Sequence, residues 1–183
     1  MTQRTLIIFG SPHKDGNTAA LVDALKETLS GEVVEISAWY ANISPCLDCR
    51  RCWETAQCAL RDDMDLAYAD DYDNIVLASP VHYGTLPGKV LSLASRLQTR
   101  RGKHLSRSGA KMSEKKAALI LTAGGRNDSD TALHHARCVF KMMGARGFEE
   151  RSVTSMRTDD ISATADEAAL ARAREIGRLL SDI

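Results

Sequence analysis

Four of the five cysteines in this chain of 183 residues, Cys46, Cys49, Cys52 and Cys58, fall within thirteen residues. In a reducing compartment such crowding points to metal ligation or redox chemistry before structural disulfides. The spacing C-x2-C-x2-C-x5-C can wrap four thiolates round one compact cluster, and ferredoxin runs share its first part. Zinc normally takes two C-x2-C pairs set well apart, so that two knuckles face each other. The tight packing here favours [4Fe–4S] over zinc. A second reading stays open, in which the loop holds free thiols packed beneath Trp53. Arg50, Arg51 and Arg61 stand near enough in sequence to offset thiolate charge, or to be solvated. Cys138, beside Val139 and Met142, reads as a buried small apolar residue.

Three glycine-bearing segments carry a different chemistry. Gly10-Ser11-Pro12-His13-Lys14-Asp15-Gly16-Asn17-Thr18 is small and hydroxyl-rich, follows a strand pattern and opens a helix pattern. Backbone N–H groups at a helix N-terminus, with Ser and Thr hydroxyls, form a phosphate cradle. The nucleotide triphosphate pattern G-x-x-x-x-G-K-[ST] fails, with one residue too many between the glycines and Asn17 in the lysine position. G-x-G-x-x-G is absent too, so a single terminal phosphate fits best. Ser79-Pro80-Val81-His82-Tyr83-Gly84-Thr85-Leu86-Pro87-Gly88 holds an aromatic, an imidazole and free amides in a narrow set of backbone shapes. Those groups suit the border of a flat heteroaromatic ring; the alternative is a rigid turn with Tyr83 as core filler. Thr122-Ala123-Gly124-Gly125-Arg126-Asn127 allows close backbone approach to a ligand. No nucleophile–base–orienter set is visible, so no catalytic residue is assigned.

These segments need a scaffold that brings them together. Thr5–Phe9, Glu32–Ser37, Asn74–Ser79 and Ala117–Thr122 read as strands, with a weaker one near Phe148–Thr154. Between and after them, Thr18–Ser30, Asp62–Asp70, Pro87–Gln98, Asp130–Met143 and Ala163–Leu180 read as helices. Such alternation predicts a parallel α/β sheet of five strands, a flavodoxin-like three-layer sandwich of order 2-1-3-4-5. In sheets of this kind ligands sit beyond the carboxyl ends of the strands. All three glycine segments fall there. The whole chain reads as a single domain.

Lys plus Arg equals Asp plus Glu, at 24 each. Neutrality speaks against general polyanion binding. No apolar run reaches membrane-spanning length and no signal sequence is visible, so a cytoplasmic protein without nucleic-acid or membrane partners is expected. Arg100–Lys116, with seven Lys or Arg against one Glu, is expected to be a solvated loop, or else a flap or subunit arm.

In this order, G-S-P-H-K-D-G-N-T, S-P-V-H-Y-G-T-L-P-G and T-A-G-G resemble the NADPH-dependent FMN reductase family. Ile43–Cys52 with Cys58 and Asp62-Asp63-Met64 resembles its iron–sulfur flavoprotein branch. The resemblance covers roughly the first two-thirds of the chain. It implies FMN, with Ser11, His13, Asn17 and Thr18 at the phosphate. It sets Pro80, Val81, His82, Tyr83 and Gly84 along the isoalloxazine ring, with Thr122, Ala123, Gly124 and Gly125 on the other border. The family commonly carries a tyrosine in the His82 position. NAD(P)H as reductant, a small-molecule or one-electron protein partner, and a homodimer or homotetramer are also implied. The rival functions are a flavodoxin-type electron carrier and a cysteine-based redox sensor; neutral charge argues against the carrier, which is usually acidic.

Overall fold

Arg4–Phe9 forms β1, whose side chains divide between two cores: Leu6 and Ile8 face one, Ile7 and Phe9 the other. A strand buried on both faces must be apolar at every position, which is why this run shows no polar alternation. The computed structural model describes residues 2–69, 71–100, 113–125 and 129–181. The other strands are β2 (Glu32–Ser37), β3 (Asn74–Pro80), β4 (Lys115–Ala123), β5 (Ala145–Arg146) and β6 (Ser152–Met156). The helices among the described residues are α1 (Asn17–Lys26), α2 (Arg51–Thr55), α3 (Met64–Ala67), α4 (Gly88–Ser95), α5 (Asp130–Met143) and α6 (Glu167–Ser181).

All strand pairs are parallel, in the order β2-β1-β3-β4-β5. Helices α3, α4 and α5 cover one face and α1 and α6 the other, giving the expected three layers. On the second face, Gly177 of α6 lies so close to α1 that a Cβ there would fall 2.3 Å from Thr28 Oγ1 and 2.4 Å from the Leu25 carbonyl. The contact admits glycine alone without a shift.

The edge beside β4 departs from the five-strand expectation. Its fifth position is shared by two short strands, β5 against Lys115–Lys116 and β6 against Leu119–Ala123. Between them the chain turns at Gly147 (φ +74°) and buries Phe148 against Phe140, with ring centroids 5.2 Å apart. The expected strand at Phe148 therefore starts later, at Ser152. Arg151 repairs the gap, donating from Nε to the buried Ala117 carbonyl at 3.0 Å and from Nη2 to the Arg146 carbonyl at 2.9 Å. Arg151→Met keeps the stem but orphans these acceptors. It is expected to cost about 1–3 kcal/mol in urea unfolding; an unchanged midpoint would show that the split edge needs no such brace.

Several ends also differ. α1 stops at Lys26, short of Ser30, and only Met64–Ala67 of the expected Asp62–Asp70 helix is helical. The last helix begins at Glu167, after a 3-10 turn at Ala163–Ala165, because Asp166 accepts from the Ala169 amide and caps it there. β4 begins at Lys115, so the basic stretch loses its last two residues to the sheet. Its first residue, Arg100, is buried and donates to the Ala67 and Ala69 carbonyls. Residues 101–112 lie outside the described residues, and so do the flap and arm readings of that stretch. Among the described residues no helix is long and apolar enough to cross a membrane.

Candidate functional site

Beyond β1 the chain passes Gly10, whose amide donates to the Ala78 carbonyl at 2.7 Å. A Cβ at Gly10 would stand 2.6 Å from Val90 Cγ2 and 2.8 Å from Ser79 Oγ, so the backbone passes where no side chain fits. The buried Ser11 hydroxyl then accepts from the His13 amide at 3.1 Å, bending the loop back toward α1. The N-cap of α1 is Gly16, and no side chain caps the helix. Its first-turn amides keep their capacity for an anion, and the helix dipole adds to it. His13 itself is exposed. Asn17 is partly committed, since its Oδ1 accepts from the Ser162 hydroxyl at 3.0 Å and the Ala163 amide at 2.8 Å.

Two aromatic residues just after β2 support this loop, and the sequence reading did not name them. Trp39 Nε1 donates to the Gly10 carbonyl at 2.9 Å, and the Tyr40 hydroxyl donates to the Pro12 carbonyl at 2.5 Å. Lys14 Nζ lies 4.4 Å from the Tyr40 ring centroid, a cation–π contact that brings positive charge to the loop. The available signal was an aromatic pair at a strand end on the edge that carries the glycine loops.

The second loop extends the β3–β4 ladder by one bond, from the Val81 amide to the Thr122 carbonyl at 2.8 Å. His82 and Thr85 then exchange backbone bonds of 2.9 and 3.0 Å around Tyr83 (φ +51°) and Gly84 (φ +74°). Positive φ at both central residues marks a type I′ turn. Helix α5 fixes that turn. The Ala132 amide donates to the Gly84 carbonyl at 3.0 Å, and His135 Nδ1 lies 2.8 Å from the Thr85 hydroxyl. Tyr83 is fully exposed at 104%, which overturns its reading as core filler. Val81 is the buried member of the set, Pro80 and Gly84 are half-buried, and His82 is exposed.

In the third loop Thr122 and Ala123 are buried in β4. The chain after β6 closes over their end: the Thr158 amide donates to Ala123 and the Asp159 amide to Gly124, at 2.9 and 3.2 Å. A Cβ on Gly124 would lie 2.4 Å from the Asp159 carboxylate, which explains the first glycine of the pair and adds Asp159 to the rim. Gly125 is exposed. Arg126 and Asn127 lie outside the described residues.

Thr122 joins the three loops. Its hydroxyl is 2.8 Å from that of the buried Thr18, and its carbonyl holds Val81. The candidate residues of the first, second and third segments thus share one sheet edge and one hydrogen-bonded seam.

A family model of NADPH-dependent FMN reductases matches residues 3–156. The chain belongs to that family. Among curated relatives, an iron–sulfur flavoprotein of Methanocaldococcus jannaschii is 34% identical over 94 residues, 49% of each chain. An iron–sulfur flavoprotein of Archaeoglobus fulgidus is 32% identical over 95 residues, 49% of this chain and 43% of that one. The match spans about half the length of these relatives. Among solved structures, an NAD(P)H:quinone oxidoreductase from Methanothermobacter marburgensis superposes with a TM-score of 0.72 at 18% identity, over 100% of this chain and 99% of that one. An FMN-dependent NADH-azoreductase from Bacillus anthracis, in complex with FMN, gives 0.62 at 15%, over 98% and 100%. These two likenesses bear on the fold: this FMN reductase family member is flavodoxin-like.

The cysteine segment follows β2 and is tied to the far end of α4, where the Cys46 amide donates to the Ser95 hydroxyl. Cys46, Cys49, Cys52 and Cys58 all line one cavity of about 70 Å³, far below the roughly 300–1,000 Å³ of a small-molecule pocket. Among the described residues no three His, Cys, Asp or Glu side chains converge on a single metal ion. Trp53 shares the wall but is 45% exposed; Cys46 and Cys49 are exposed and Cys52 and Cys58 half-buried, so Trp53 does not cover all four thiols. Asp48, Arg50 and Ala56 all take positive φ, a conformation costly for residues with a Cβ. Between Arg50 and Ala56 the short α2 forms, an element the sequence reading did not expect.

Arg50, Arg51 and Arg61 are all exposed. The buried cation of the segment is instead Arg96, at the end of α4, paired bidentately with Asp62 at 2.6 and 3.1 Å. Burial pushes the Cys52 thiol up. At Cys58 burial pushes the same way, but the Leu60 amide and the Arg96 charge outweigh it and hold the thiol below the ordinary value. Cys58 is therefore expected to react with iodoacetamide about tenfold faster than Cys52 near pH 8 in metal-free protein, read by peptide mass mapping. Equal rates would remove the electrostatic distinction. Cys138 is exposed, its sulfur 3.7 Å from His134 Nε2, which corrects the expectation of a buried residue.

Proposed function

We propose that this chain is an FMN-dependent NAD(P)H oxidoreductase whose cysteine segment holds a [4Fe–4S] cluster. The observation that carries the flavin reading is the Thr122 seam. It unites an uncapped helix N-terminus, suited to a phosphate, with a rigid turn and a glycine-bearing border, suited to a flat ring.

The residues present fit both groups. Gly10 and Gly124 let the loop backbones pack against Val90, Ser79 and Asp159, which fixes the shape of the shelf on which a cofactor would lie. First-turn amides of α1, with Ser11 and the free amide end of Asn17, would hold the phosphate. Pro80–Gly84 and Thr122–Gly125 would border the ring. For the cluster, four thiols line one cavity without meeting at a single point. That arrangement suits a cubane, in which each thiolate takes its own iron and so stands wider apart than ligands of one ion. The Nε of buried Arg96 has no oxygen or nitrogen partner, a donor suited to sulfur.

When bound, FMN supplies the exchange between a two-electron donor and one-electron carriers. The chain's own part is to fix the phosphate, hold the turn at Tyr83-Gly84 against α5, and keep one side of the ring open. His82 and Tyr83 are flavin neighbours in this reading and not an acid–base pair. The acceptor is a flavin- or quinone-type molecule or a one-electron protein partner. A homodimer or homotetramer in the cytoplasm, acting without membrane or nucleic acid, completes the reading. The names of the two iron–sulfur flavoprotein relatives support the cluster.

The test is protein purified without oxygen, with its visible spectrum, iron and acid-labile sulfide measured, then NADPH and NADH consumption with a quinone. Flavin bands, about four irons per chain and rapid turnover are expected. Flavin without iron would leave the reductase and remove the cluster; iron and flavin without turnover would leave an electron carrier; absence of flavin would sink the whole reading.

A further inference from the structure

We propose that Arg96 is the positioning residue of the four-cysteine site, closing the two ends of the Ser44–Asp62 segment and presenting a buried N–H donor in the cavity wall. The inference rests on the cluster reading above. Arg96 Nη1 donates to the Ser44 carbonyl at 2.8 Å and to Asp62 Oδ2 at 2.6 Å, while Nη2 donates to Asp62 Oδ1 at 3.1 Å. The same Asp62 Oδ2 accepts from the Ser44 amide at 3.2 Å. One guanidinium thus grips the residue two before the first cysteine and the residue four after the last.

Nothing else between those ends resembles a scaffold. The segment contains one five-residue helix and no strand, and three of its non-glycine residues hold positive φ. A second tie also comes from α4, where the Ser95 hydroxyl accepts from the Cys46 amide at 3.0 Å. The segment is therefore set against α4 by adjacent residues, Ser95 and Arg96, and not by an apolar plug.

The chemistry of the pair suggests a purpose beyond stability. The Arg96 side chain is 0% exposed and that of Asp62 7%. A buried ion pair is a poor way to gain stability compared with apolar packing. Of the charged residues that line the cavity, Asp48 and Arg50 are exposed and Arg96 is the buried cation. Two of its five N–H directions serve Asp62, one is shared with Ser44, and Nε is orphaned. A donor and a fixed positive charge at that wall match the negative sulfur of a four-thiolate cluster. Lysine could pair with Asp62, but its single ammonium has no planar fork to grip both ends and no Nε.

Wild type, Arg96→Lys and Arg96→Gln are compared as anaerobically purified holoproteins. The readouts are flavin content, iron and sulfide per flavin, rate of iron loss to a chelator, and cluster midpoint potential from an EPR-monitored titration. Arg96→Lys is expected to keep flavin but lose iron to the chelator about tenfold faster. Arg96→Gln, stripped of the charge, is expected to disfavour the reduced cluster about tenfold, a fall of about 59 mV. If Arg96→Gln fails to fold, the lysine variant decides alone. Wild-type iron retention and potential in the variants would overturn the role of Arg96 while leaving the cluster. Loss of flavin together with iron in both variants would reveal a general folding role and overturn it equally. A wild-type protein without iron would overturn the cluster, and this inference with it.

Discussion

Asn17→Asp is expected to weaken FMN binding about 100-fold while leaving the apoprotein at least as stable as wild type. The substitution changes no shape. Its Oδ1 still accepts from the Ser162 hydroxyl and the Ala163 amide, so the tie to the chain after β6 survives. Asn17 is the first residue of α1, where a carboxylate interacts favourably with the helix dipole. The same carboxylate opposes a phosphate at that terminus. At roughly 6 Å and an effective dielectric of about 20, like charges repel by about 3 kcal/mol, which is about 100-fold in affinity. Fluorescence titration with FMN measures the loss, and thermal unfolding of the apoprotein checks the fold. Wild-type affinity in this variant would sink the phosphate-cradle assignment, because no structural defect could hide the result. The deficit should shrink with salt.

The second large effect concerns Asp62. Asp62→Ala leaves the Arg96 guanidinium buried without its counter-ion, a situation that typically costs about 3–5 kcal/mol. In a domain of this size that lowers the thermal midpoint by roughly 10 °C. The pair also imposes a pH dependence. Burial tends to raise the Asp62 carboxyl, but the Arg96 guanidinium and the Ser44 and Met64 amides outweigh it and hold it below the usual carboxylate value. A depressed native value means that the stabilisation is complete above the unfolded carboxylate range, about pH 4. It is then lost as pH falls through the native value. Urea unfolding of wild type and Asp62→Asn between pH 6 and pH 2 should show the two curves converging at the acid end. Parallel curves would mean that Asp62 does not carry this dependence.

Much of the fold was legible because its signals are local. A run apolar at every position, such as Leu6–Phe9, states that both faces of a strand are covered, and β2 and α5 fall where their patterns end. The exposure of Cys138 was legible as well. Ala132, Ala136, Val139, Phe140 and Met143 form the buried stripe of α5, and position 138 lies off that stripe at 3.6 residues per turn. Reading the helix by its neighbours in sequence instead of its face produced the error. The remaining gaps are contacts between distant residues. Trp39 reaches Gly10 and Arg96 reaches Asp62 across sequence separations of 29 and 34, and no period in the chain encodes which side chains will meet at a sheet edge. The split fifth position is similar, since its brace is the Arg151 side chain and a lone arginine announces nothing. The three glycine loops were found because each needs a local backbone shape. That Thr122 would tie them together needed the register of β4 against β3.

The two candidate sites are suspended from the fold by different means, and this bears on the order in which the molecule can mature. The glycine loops spring directly from β1, β3 and β4, whose amides lie in fully buried ladders and open only with the sheet as a whole. A chain that has formed its sheet has therefore already formed the shelf proposed for flavin. Between its anchors at Ser44 and Asp62 the cysteine segment carries exposed turns and no strand, and such stretches open by local fluctuation at far lower free energy. Hydrogen exchange should divide accordingly, with residues 46–58 exchanging long before β1, β3 and β4. On the proposed function, flavin would bind with folding, while iron and sulfide could enter the loop afterwards without the sheet opening.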